Sequence, residues 1–238
     1  MNLGYACINT GLSANRIMTN RTMRRKTFDA QGIDYVSDLS LANVKDLKTI
    51  VQWNNEMGIK LFRLSSQIFP WSDEYDIKDL KDYDAIAKVM LEVGQIATDA
   101  GQRLTMHPGP YNCLASPTQK VVDKTIRELN FHSEQFNMMG YTPSNYNKIN
   151  IHVGGAYGDK KATLARFCDN FHLLNDDTKK RLVIENDDSP NEYSVKDLFD
   201  GIYQVIGIPI TFDYFHHKFN TGGLTEEEAL KMASITWP

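Results

Sequence analysis

Strand-like runs of apolar and polar residues recur along the chain: Leu3–Asn9, Lys60–Ser66, Arg103–Pro108, Lys148–Gly154, Arg181–Asp187 and Pro209–His217. Six strands are predicted, and in a strand successive side chains point to opposite faces. A helical pattern follows each run. Over Ser40–Met57, Leu41, Val44, Leu47, Val51 and Trp53 recur near the helical spacing. Ser116-Pro117-Thr118-Gln119 reads as a capping box with proline at the first helical position. The helix it opens is expected to run to Met139, with Gly140 where a C′ glycine belongs. Asp159 and Ser194 are expected to cap two further helices. Strands alternating with helices predict βαβ units and a parallel sheet.

Four successive runs share a finer pattern. Leu104 and Met106 alternate with Thr105 and His107, and Ile149, Ile151 and Val153 alternate with Asn150 and His152. Leu182 and Ile184 alternate with Val183 and Glu185, and Ile210 and Phe212 with Thr211 and Asp213. One face is apolar and suits a cover of helices. The other ends, at each strand's C-terminus, in an imidazole or a carboxylate. An open sheet with helices on both sides wants apolar residues on both faces. A closed barrel has helices outside only and its reactive mouth at the C-terminal strand ends, so a TIM-like (β/α) barrel is expected. Crowded imidazoles and carboxylates repel or lie unpaired unless a cation organises them. His107, His152, Glu185 and Asp213, with His216 three residues on, are therefore candidate ligands. Mixed imidazole and carboxylate donors suit zinc, manganese or iron better than calcium or magnesium.

Length and composition narrow the class. A chain of 238 residues, 42% hydrophobic and 24% charged, is an ordinary globular one, neither disordered nor fibrous. The reading is one domain over residues 1–238. Mean hydropathy is −0.41, and no apolar run approaches the ~18 residues of a membrane span. The start, Met1-Asn2-Leu3-Gly4, has neither the basic nor the apolar region of a secretory leader. Cys7, Cys113 and Cys168 are too few and scattered for a disulfide framework, which points to a reducing, intracellular compartment. The net charge of −4 neither announces nor excludes nucleic acid, because the placement of positive charge decides. Arg16, Arg21, Arg24, Arg25 and Lys26 follow the first strand without an acidic residue among them. At a barrel mouth they are candidate phosphate contacts, which Lys160, with Lys161 and Arg166, could extend. His132 is expected to pack on its helix, His172 to lie at the surface and His217 to be structural or to support a ligand.

The ordered words Gly4-Tyr5-Ala6-Cys7-Ile8-Asn9, Arg63-Leu64-Ser65-Ser66 and Arg103-Leu104-Thr105-Met106-His107-Pro108-Gly109 carry a resemblance. Asn150-Ile151-His152-Val153-Gly154-Gly155, Gly158-Asp159-Lys160, Arg181-Leu182-Val183-Ile184-Glu185-Asn186-Asp187-Asp188 and Asp213-Tyr214-Phe215-His216-His217 continue it over nearly the whole chain. In this order they resemble the UV damage endonucleases, DNA repair enzymes of the xylose-isomerase-like barrel group. The resemblance implies an enzyme that nicks the damaged strand 5′ to a UV photoproduct or an abasic site, leaving a 3′-hydroxyl and a 5′-phosphate. It implies two or three divalent metals, typically manganese, held by His107, His152, Glu185, Asp213 and His216, of which His107, His152 and Glu185 are the catalytic core. Tyr5 and Asn9 match family positions tied to the damage pocket and the inserted probe. Tyr111 is the other half of that probe, although Pro110 stands where many relatives carry glutamine. No histidine follows Phe69-Pro70-Trp71, where relatives often place a ligand; Asp73 is the acid there. The implied partner is damaged double-stranded DNA, with no membrane and no obligatory protein partner, and the implied place is inside the cell with access to DNA.

Two other readings stand beside this one: an abasic-site endonuclease or sugar isomerase of the same barrel group, or a truncated fragment that binds DNA without cutting it. An isomerase has no use for the cationic run. A closed barrel needs eight strands, six are counted, and the chain stops at Ile235-Thr236-Trp237-Pro238. The expectation is a C-terminally incomplete barrel, a C-shaped sheet with open edge strands, poorly soluble and nearly inactive until extended.

Overall fold

Each of the six strand-like runs forms a strand, and each strand is shorter than its run. They are β1 (Gly4–Ala6), β2 (Leu61–Leu64), β3 (Arg103–Met106), β4 (Ile149–Ile151), β5 (Leu182–Glu185) and β6 (Ile210–Thr211). The computed structural model describes residues 3–238; Met1 and Asn2, the beginning of the segment read for a leader, lie outside the described residues. The chain folds as two compact units, Met1–His107 with Phe131–Asn147, and Pro108–Asn130 with Lys148–Pro238. In the first, β1 pairs parallel with β2, Tyr5 opposite Phe62, and β2 pairs parallel with β3, Arg63 opposite Thr105. In the second, β4 pairs parallel with β5, Asn150 opposite Val183, and β5 pairs parallel with β6, Glu185 opposite Thr211.

The helices are α1 (Thr10–Ser13), α2 (Arg25–Glu56), α3 (Tyr83–Asp99), α4 (Gln119–Met138) and α5 (Lys160–Phe171). They continue as α6 (Asp176–Arg181), α7 (Val195–Leu198), α8 (Gln204–Ile206), α9 (Tyr214–Phe219) and α10 (Glu226–Ser234). The α2 helix begins well before the predicted Ser40. Its first turns are interrupted at Gly32, which adopts φ 65°, and it buries side chains only from Val36 onward. The apolar stripe is therefore legible only beyond the break. The Asp159 and Ser194 caps form: Asp159 accepts from the Ala162 amide at 3.0 Å, and Ser194 exchanges bonds with Asp197. The box at Ser116 does not. Ser116 Oγ accepts from the Thr118 amide at 3.1 Å, but the Gln119 side chain turns to Asp123 at 2.8 Å, and the helix starts at Gln119. Gly140 ends the segment with φ 79°, as a C′ glycine does.

The apolar faces are buried as expected: Leu104, Met106, Ile149, Leu182, Ile184 and Ile210 are all fully inaccessible. Phe212 is only partly covered, against Tyr214 and His217 with ring centroids at 4.5 and 5.3 Å. His132 is fully buried beside Gln135, and His172 is exposed. Among the described residues, no helix is long and apolar enough to cross a membrane.

Candidate metal centre and nucleic-acid face

Glu185 ends β5 and is almost wholly buried. Its two oxygens have different surroundings. Oε2 accepts from the side-chain amide of Asn150 on β4. Oε1 faces two imidazoles, His152 Nε2 at 3.9 Å and His216 Nδ1 at 3.6 Å. The two rings lie 5.4 Å apart by centroid. Glu185, Asp213 and His216 each offer one ligand atom, all within 4.8 Å of one another.

Local structure explains this convergence. Asp213 caps α9, its carboxylate accepting from the His216 amide at 2.9 Å, so His216 reaches the group from a helix and not from the strand predicted through it. Asn186, fully buried, brackets Asp213: its Oδ1 accepts from the Asp213 amide at 2.8 Å and its Nδ2 donates to the Asp213 carbonyl at 3.1 Å. The Asn186 carbonyl in turn lies 2.8 Å from His216 Nδ1. Asp187 Oδ1 lies 2.8 Å from His152 Nδ1. Burial pushes the His152 pKa down, but the Asp187 hydrogen bond and the charges of Asp187 and Glu185 outweigh it, and the net shift is upward. Nearby, burial and the charges of Asp187 and Asp188 push the Glu192 carboxyl up. Two carboxylates, Glu185 and Asp213, with two imidazoles, His152 and His216, are a donor set that fits a divalent transition metal. Asn150, Asn186 and Asp187 were not singled out from the sequence. The signal for Asn150 was its place on the same strand face as His152. His107 directly follows β3 and belongs to the first unit.

The cationic segment divides by role. Arg21 holds the loop together: its guanidinium donates to Asp46 at 2.6 Å, to the Met18 carbonyl at 2.6 Å and to the Arg16 carbonyl at 2.7 Å. Arg25 bridges Asp29 at 2.8 Å and Glu74 at 2.6 Å and lies over the Phe28 and Trp71 rings. Arg16, Arg24 and Lys26 are exposed and make no ion pair among the described residues. Lys160 lies over the Tyr193 ring, 3.2 Å from the Pro190 carbonyl and 3.5 Å from Asp197.

Tyr5 and Asn9 are built into the first unit. The Tyr5 hydroxyl donates to Asn54 Oδ1 at 2.7 Å and accepts from Asn9 Nδ2 at 2.9 Å, and its ring stacks at 4.9 Å on Phe62. Burial raises its pKa against the lowering effect of those two amides. Asn9 is buried and caps α1 through the Leu12 amide. Tyr111, by contrast, is 86% exposed on the loop after β3.

A family model described as UV-endonuclease UvdE matches residues 1–238. The chain belongs to this family. A UV-damage endonuclease of Schizosaccharomyces pombe is 39% identical over 233 residues, which cover 94% of this chain and 37% of that protein. The chain thus spans well under half the length of that relative. The crystal structure of SacUVDE superimposes with a TM-score of 0.88 at 32% identity, over 100% of this chain and 77% of that one. The D-psicose 3-epimerase of Clostridium cellulolyticum H10, solved with D-tagatose, gives a TM-score of 0.57 at 14% identity, over 80% of this chain and 65% of that one. At that identity it shows the fold alone: an α/β, TIM-like barrel of which this chain supplies six βα units.

Proposed function

We propose that residues 1–238 act as one functional domain of a metal-dependent DNA repair endonuclease that nicks the phosphodiester 5′ to UV photoproducts, and to abasic sites, leaving a 3′-hydroxyl and a 5′-phosphate. Membership of the UvdE family supports action on UV-damaged DNA. The observation that carries the chemistry is Glu185 Oε1 facing both His152 and His216, with Asp213 beside them. His107 completes the ligand set in this reading, with Glu185, His107 and His152 at the catalytic core and two or three divalent ions, manganese first. Bound divalent ions supply an activated water and neutralise charge on the phosphate. The chain's own part is to hold the ligands, with Asn150 fixing one oxygen of Glu185 so that the other is presented inward. Such work on DNA belongs inside the cell. A sugar isomerase is supported by a shared fold only.

The test is a duplex carrying one photoproduct. With Mn(II) these residues, within a chain of the relatives' full length, are expected to leave a single nick on its 5′ side, and excess chelator is expected to stop it. Cleavage that ignores the chelator, or that treats undamaged duplex equally, removes the reading.

Phosphate contacts are assigned to Arg16, Arg24 and Lys26, with Lys160 and Arg25 contributing when DNA displaces their present partners, and lesion reading to Tyr5, Asn9 and Tyr111. Arg24→Ala is expected to weaken binding to damaged and undamaged duplexes alike, and to make the log-affinity against log-salt slope shallower by about 0.9. Arg21→Ala is expected mainly to lower the melting temperature, since it frees Asp46 and two carbonyls. If the salt slope follows Arg21 and ignores Arg24, the division of roles is reversed.

A further inference from the structure

An imidazole can ligate a metal only through the nitrogen that lacks a proton, so two histidines aimed at one carboxylate need their tautomers fixed beforehand. Asp187, two residues after Glu185, meets that need for His152. Asp187 Oδ1 lies 2.8 Å from His152 Nδ1, while His152 Nε2 turns toward Glu185. The Asn186 carbonyl lies 2.8 Å from His216 Nδ1. A carboxylate only accepts, so its 2.8 Å approach makes Nδ1 of His152 the donor and leaves the Nε2 lone pair, which faces Glu185, available; at His216 it is Nδ1 that lies near both the Asn186 carbonyl and Glu185 Oε1.

We infer that Asp187 is a positioning residue that fixes the ligating tautomer and ring angle of His152. Asp187 is suited to this because it is itself held. It is buried, its amide donates to the Tyr193 carbonyl at 2.9 Å, and its second oxygen faces the Tyr193 amide at 3.4 Å. Asn186 meanwhile clamps the main chain of Asp213 through both ends of its side chain. Glu185-Asn186-Asp187 therefore provides one ligand and orients two others, His152 and Asp213. This role rests on the metal reading above, and Asp187 takes no part as a ligand, since its near oxygen is committed to His152.

The experiment has two arms. In metal-free protein labelled with 15N-histidine, above the histidine titration range, His152 is expected as the Nδ1–H tautomer, its signals assigned by His152→Gln. In Asp187→Asn the side-chain amide can present N–H to the ring, and the tautomer is expected to shift to Nε2–H. Mn(II) titration, with free ion read by electron paramagnetic resonance, is expected to show affinity about 10–100-fold weaker for Asp187→Asn, with the metal-free melting temperature close to wild type. An Nε2–H tautomer at His152 in the wild type overturns the inference, and so does wild-type Mn(II) affinity in Asp187→Asn. The wild-type tautomer decides alone if the variant does not fold. Nδ1–H tautomers in a wild-type protein that takes up no Mn(II) overturn the metal reading and this role with it.

Discussion

Glu185→Gln is expected to abolish Mn(II) binding and photoproduct nicking while leaving the metal-free fold intact. Glutamine has the shape of glutamate, so the packing of β5 is kept. What it lacks is a second acceptor. One oxygen of Glu185 accepts a hydrogen bond from the Asn150 side-chain amide and the other faces His152 and His216. The variant must either turn its N–H groups on the Asn150 amide or turn them into the ligand cluster, and neither leaves a carboxylate for a cation. The loss in metal affinity is expected to exceed the ~100-fold that outer partners can reach. Stability should move the other way. Asp187 is also buried nearby, Asp213 is partly so, and an uncompensated buried charge is costly. The metal-free variant should therefore melt at or above the wild-type temperature, while the stabilising shift on adding Mn(II), which follows from binding to the native state alone, disappears. A variant that still nicks, or that collapses without metal, puts Glu185 in another role.

The same residues show how far the chain can be read. The centre of every strand was legible as a short strand-like run, and in the last four also because period-two alternation survives burial on one face. The ends were not, because the alternation runs on into loops that obey other rules. Pro209–His217 is the plainest case: Ile210 and Phe212 alternate with Thr211 and Asp213, yet Asp213 caps a helix, and His216 reaches the site by that route. The metal-competent side chains were legible as a recurring type at strand ends. Their supports were not, since nothing in the letters Asn186-Asp187 says that a carbonyl and a carboxylate each meet a ring nitrogen. Likewise the run from Arg16 to Lys26 was visible as charge, but its division of roles depends on Asp46 and Glu74, acids remote from it in sequence. Tyr5 and Asn9 were marked by resemblance, and their hydrogen bonds to each other and to Asn54 follow only from the fold.

Gly94→Ala is expected to be among the most damaging single changes, against its usual sign. Within a helix such as α3, replacing glycine with alanine ordinarily stabilises by up to ~1 kcal/mol. Here α3 packs so closely on the segment after α4 that a Cβ at Gly94 would fall inside the Met139 carbonyl group, 2.7 Å from its carbon and 2.9 Å from the Met139 Cβ. A side-chain neighbour could rotate away. A main-chain carbonyl cannot, and this stretch is also tied down by the Tyr141 hydroxyl, which donates to the Gly94 carbonyl at 3.3 Å. Overpacking a closed interior costs ~1–3 kcal/mol and occasionally more, and the backbone obstacle puts this case at the upper end. The net loss is about 2 kcal/mol or more after the helical gain, or about 4–8 °C in melting temperature for a chain of this size. Gly201→Ala is the comparison: its Cβ would meet only the Leu164 side chain, which can turn, so the loss should be smaller. Thermal unfolding of the two variants side by side decides it, and a Gly94→Ala protein that melts with the wild type would mean that α3 is free to move away from Met139.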